Sequence, residues 1–73
     1  MTNKEFEKVV EHYHKKGLSD DEIAEAIAKM FVAQRISRQD MNAMLALLGF
    51  YPDEESEKLS DEEFRRALDE SFR

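Results

Sequence analysis

Apolar residues recur along this chain at intervals of three and four. The first series is Phe6, Val9, Val10 and Tyr13; the second is Ile23, Ala26, Ile27, Met30 and Phe31. Met41, Met44, Leu45 and Leu48 form a third, and Phe64, Ala67, Leu68 and Phe72 a fourth. Such spacing puts each series on one face of a helix, and no stretch alternates as a half-buried strand would. The pattern predicts helices from about Asn3 to Lys16, Asp20 to Gln34, Arg38 to Leu48 and Asp61 to Phe72. Val32 and Ala33 broaden the apolar sector of the second.

Each series opens in the same way. "LSDDEIAEAI" from Leu18 and "LSDEEFRRAL" from Leu59 are nearly one motif, with looser versions in "ISRQDMNAML" from Ile36 and "MTNKEFEKVV" from Met1. Ser or Thr at an N-cap accepts from an unpartnered backbone N–H, and Glu three residues later reaches back to the cap's own N–H. Asp40 is shorter than Glu, so the third box is the imperfect one. The residue before each cap staples to one beyond it: Leu18 with Ile23, Ile36 with Met41, Leu59 with Phe64, Met1 with Phe6. The repeat therefore marks helix starts and is not a duplicated binding motif. Gly17 and Gly49 are placed to stop the first and third helices in the left-handed conformation, with Phe50 packing back on the helix just ended.

These elements amount to an all-α compact bundle of three to four short helices in a single domain, 1–73. Residues 1–50 form a three-helix body, 51–60 an acidic linker and 61–73 a C-terminal helix docked on that body. Within "YPDEESEK", Pro52 either opens a short helical turn or stiffens the linker. Seventy-three residues lie near the lower limit for an independent core. No cysteine is present to staple it. No apolar run approaches the roughly 20 residues that span a bilayer. The N-terminal residues lack the apolar core of a secretion signal, and a cytoplasmic protein without membrane partners is expected.

Charge changes the picture more than composition does. The net charge is −6, and seven acids between Asp53 and Glu63 against Lys58 alone carry that same net value. An acidic chain is a poor generic binder of phosphate backbones, so nucleic acid is disfavoured as a partner.

The residues offer little for catalysis. His12 and His14, two apart on a helix, diverge by about 200° and cannot share a metal as an i, i+4 pair can. Ser19, Ser37 and Ser60 are spent as caps. No glycine-rich phosphate loop occurs, and the carboxylates lack the apolar surroundings that raise a pKa for acid catalysis. No enzyme, cofactor or metal is expected.

Three resemblances arise from the motifs. "LSDDEIAEAI" followed by "ISRQDMNAML" resembles a helix-turn-helix pair, with Arg38, Gln39 and Asn42 on the second helix. It departs from that pattern where "AKMFVAQ" continues the first helix for nearly two turns and where the second keeps a wide apolar sector. "DEEFRRALDES" is similar to the ubiquitin-interacting motif at Glu62, Glu63, Phe64, Ala67 and Ser71. The trailing acid is missing, and Ala67 fits equally as a small residue in a helix–helix contact. "YHKKGLSDDEI" and "RISRQDMNAMLALLGF", between Tyr13 and Phe50, resemble small helical accessory proteins of Gram-positive phages and conjugative elements.

The expected function is non-enzymatic binding of another protein, or self-association, by an accessory protein of a mobile element. Large side chains exceed what so small a core can bury, so Phe50, Tyr51, Phe64 and Phe72 are expected to form an exposed apolar patch. Leu68, Glu54 and Glu55 join them as candidate partner-binding residues. Met41 and Met44 would serve either as core filling or as an adaptable contact face. Two alternatives are an acidic DNA mimic of anti-restriction type, built on the acids from Asp53 to Glu63, and a helix-turn-helix-like DNA-binding regulator.

Overall fold

The computed structural model describes residues 2–73. Among them five helices follow in order: α1 (Asn3–Lys15), α2 (Asp20–Val32), α3 (Arg38–Leu47), α4 (Glu54–Glu57) and α5 (Asp61–Ser71). The all-α class and the four longer helices are those the periodicity predicts. The fifth, α4, is a single turn inside the stretch expected as linker. Asp53 opens it, Oδ1 accepting from the Ser56 N–H at 2.7 Å. Four residues without an apolar stripe leave no periodic signal.

Helix starts behave as the cap grammar requires. Thr2 and Glu5 form a complete reciprocal box on α1, and Ser19 and Glu22 one on α2. Ser37 accepts from the Asp40 N–H at 3.1 Å without a return bond. The box expected on α5 is half made: Ser60 accepts from the Glu63 N–H and its hydroxyl donates to the Glu63 carboxylate, without a return bond from the Ser60 backbone N–H. The staple drawn from Met1 lies outside the described residues.

All three long helices of the body stop in one way. The second residue past the cap donates to the carbonyl five positions back: Leu18 to Tyr13 (3.3 Å), Arg35 to Met30 (2.9 Å), Phe50 to Leu45 (2.9 Å). The residue between them is left-handed, which suits Gly17 and Gly49 (φ +85° and +86°). On α2 that place is filled by Gln34, with φ +61°. A glutamine there looks like ordinary helix, so α2 was expected to run to Gln34 and ends at Val32.

The core joins Phe6 and Val10 of α1, Ile23, Ile27 and Phe31 of α2, and Met41 and Met44 of α3. The two methionines are thus core filling and not a contact face. Helix α2 is central, packing on α1, α3 and α5, and α1 also packs on α3. That position explains the wide apolar sector of α2. The Cα radius of gyration is 11.9 Å, close to the roughly 11 Å of a compact chain this long, so α5 lies against the body.

Candidate functional site

The residues expected to form one apolar patch separate into two places. Phe64, Leu68 and Phe72 lie along α5 and are half-buried, with Phe64 and Leu68 packed against the core. Phe64 meets Phe31 edge to face, with ring centroids 5.8 Å apart. The broad apolar sector of α2 supplies the surface on which the C-terminal helix was expected to dock, so Phe64 and Phe72 do not belong to an exposed patch. Their role is docking α5.

Cations complete that seam. Arg65 Nε donates to the Phe31 carbonyl at 3.1 Å, with its guanidinium 4.6 Å from the Phe31 ring centre. Lys29 Nζ lies 5.5 Å from the ring centre of Phe72. Arg38 binds most of all. Its guanidinium donates to the carbonyls of Ser56 and Leu59, sits 4.6 Å from the Phe64 ring centre and lies 3.6 Å from Asp61 Oδ1. Only 14% of its side chain is exposed. A guanidinium presents several donors in one plane, so it can bind two carbonyls and still lie over a ring. The residue counted among possible base-reading side chains is therefore turned onto α4 and α5.

The second place is the corner after α3. Tyr51 is 76% exposed and Leu47 is 49% exposed, the exposed large hydrophobics among the described residues. They flank the Gly49 turn, with Leu48 and Phe50 half-buried between them. Tyr51 meets the expectation of exposure; Phe50 meets it only in part, since the turn folds its backbone onto Leu45. Glu54, Glu55 and Glu57 follow directly on α4 and are exposed. Among the described residues none of the three is in an ion pair, whereas Glu11–Lys15, Glu25–Lys29, Glu62–Arg66 and Asp69–Arg73 pair along their helices. Asp53 beside them is spent on its cap. The hydrogen bonds from Ser56 favour its charged form and hold its carboxyl below the ordinary aspartate value.

Sequence reasoning missed Leu47. It lies off the stripe of Met41, Met44, Leu45 and Leu48, and "LALLGF" holds more leucines than one helix face can turn inward. Ala67 also differs from its reading as a helix–helix contact: it is exposed, as are Glu62, Glu63 and Ser71, while Phe64 faces the core.

Other features carry less. His14 Nε2 lies 2.9 Å from Asp20 Oδ1, tying the end of α1 to the start of α2. An open groove of about 570 Å³ lies between α2 and α5, lined by Val32, Gln34, Glu62, Arg65, Arg66 and Asp69. Its charges alternate and offer no convergent set of donors. Among the described residues no three His, Asp or Glu side chains are grouped to hold a metal. Comparison with known protein families, characterised proteins and solved structures finds no match.

Proposed function

We propose that this chain is a small, non-enzymatic protein-interaction module that binds a partner protein at the corner formed by Leu47, Phe50 and Tyr51. The observation that carries the reading is the concentration of exposed apolar surface at that turn: Leu47 and Tyr51 stand within five residues of each other. Scattered exposed hydrophobics need no explanation, but two on one turn of the chain, followed by exposed acids, support a contact surface. An exposed tyrosine also suits this role, giving a large rigid face at little entropic cost.

The placement of Arg38 supports this reading over a helix-turn-helix regulator, since a base-reading helix would need that side chain free. The test is affinity capture from the native host with the wild-type chain and with Leu47→Ser/Tyr51→Ser. A partner held by the wild type and lost from the double variant, at unchanged helicity and melting midpoint, supports the corner. Equal recovery by both overturns it.

A further inference from the structure

We infer that the partner seated at this corner is a second copy of the chain, the two meeting about a two-fold axis at Leu47 and Tyr51. The inference rests on the corner being the contact surface and specifies what covers it.

Charge decides the occupant. Of the residues in this chain 38% are charged, yet the twelve from Met41 to Pro52 include none. No other uncharged run exceeds five residues, the length of Met30 to Gln34. Within the twelve only Met41 and Met44 are buried, so the others leave neutral surface uncovered, with Leu47 and Tyr51 the exposed large hydrophobics. Helices α1, α2 and α5 each pair an acid with a Lys or Arg four residues on; α3 carries no charge after Asp40. A charged partner surface laid on this run would lose water and meet no counter-charge. That disfavours acidic and basic segments alike, and with them nucleic acid and lipid headgroups. The neutral surface the run calls for is present on the chain itself, and a two-fold contact sets the run against its own copy. Other charged elements are held aside: α5 packs on α2, and Arg38 fixes the Ser56 and Leu59 carbonyls at the end of α3 away from Leu47. Ten residues of helix separate those ends by about 15 Å. That exceeds the screening length of about 8 Å in physiological salt. A core near the lower limit of size gains from the added burial.

Sedimentation equilibrium of the full chain, taken up to about 1 mM, should show a reversible dimer with Kd above about 1 μM. The affinity is modest because twelve residues are fewer than the roughly 20–30 a side of a standard interface. Amide shifts on dilution should centre on residues 45–52. Added salt should tighten the dimer, because each copy carries −6 and no ion pair is called for across the contact. Leu47→Glu and Leu47→Lys, each alone, should weaken it at least about tenfold. An equimolar mixture of the two should associate again, as opposite charges meet near the axis. Tyr51→Ser, at an exposed position outside the helices, should weaken it similarly and serves if the Leu47 substitutions unfold the chain. A monomer at every concentration overturns the inference, as does a dimer that none of these variants weakens or that salt loosens. Isotope-filtered contacts between Phe31 of one copy and Phe64 of the other would overturn it in favour of exchanged α5 helices. Capture of a host protein through Leu47 and Tyr51 by a chain that stays monomeric overturns the second copy and leaves the corner standing. Equal recovery by wild type and double variant strikes the corner itself, so the two readings fail separately.

Discussion

Replacing Arg38 with Met should release α5 while leaving the three-helix body folded. Methionine keeps much of the arginine stem's bulk and removes the guanidinium. Two hydrogen bonds from a charged donor are then lost at the Ser56 and Leu59 carbonyls, each worth about 1.5–3 kcal/mol. The contact with the Phe64 ring contributes about 0.5–1 kcal/mol more. Asp61 adds little, because its side chain is 58% exposed and water screens the pair. The carbonyls regain water in the variant, and such contributions do not add fully, so a local loss of about 2–4 kcal/mol is expected. Neither α4 nor α5 contains a fully buried residue, and a helix of this length is marginal without a surface to rest on. Amide hydrogen exchange reads the outcome. Amides from Phe64 to Leu68 should exchange about 30- to 1,000-fold faster in Arg38→Met, the conversion of that free energy. Those from Ile23 to Met30 should change far less. Equal acceleration in both stretches would make the molecule one cooperative unit, and unchanged rates in α5 would show that Arg38 does not hold it.

Three further outcomes are expected. Ser19→Ala removes a complete capping box and should cost about 1 kcal/mol, lowering the melting midpoint by about 4–8 °C without affecting partner capture. Gln34→Gly relieves a left-handed glutamine and should stabilise by about 0.5–1 kcal/mol, read as a higher midpoint in thermal or urea unfolding. Asp53 should titrate below its ordinary value of 3.8. Because its folded-state value is lowered, its contribution to α4 is whole above that range and is lost as pH falls through the lowered midpoint. Carboxyl carbon shifts followed by NMR check this, and a midpoint at or above 3.8 would contradict the cap.

What could be read from the residues divides by the kind of signal each feature leaves. Thr2, Ser19, Ser37 and Ser60 announced helix starts because a cap acts through its own side chain, three residues from its partner. Gly17 and Gly49 announced stops because only glycine takes that backbone freely. Gln34 takes it as well, held by the turn's backbone hydrogen bonds to Phe31 and Met30, and nothing in its chemistry says so. The role of Arg38 was hidden for a different reason. Its acceptors are backbone carbonyls 18 and 21 residues away, and a carbonyl has no residue identity. The apolar corner was half legible: Tyr51 and its acids stood out, but Leu47 was obscured among neighbouring leucines. Phe64, Leu68 and Phe72 were visible as a stripe, while the breadth of α2 that receives them emerged only from the packing.

The left-handed stop at Gln34 has a consequence for how this small chain can vary. A carbonyl oxygen has two lone pairs. At Phe31 one is taken by the Gln34 N–H and the other by Arg65 Nε. Had α2 continued, the Arg35 N–H would point along the axis at that same oxygen, and it instead turns back to Met30. A continued helix would pass the Gln34 N–H to Met30, so the lone pair that Arg65 uses would be left in either case. What the stop fixes is where the chain leaves α2: α3 begins three residues after Arg35, at Arg38, whose guanidinium holds the Ser56 and Leu59 carbonyls. Lengthening α2 by a turn, an innocuous change on the surface of most proteins, would here carry Arg38 away from the carbonyls it holds. The joint between these helices therefore constrains insertions in a segment that, judged by exposure alone, would seem free to accept them.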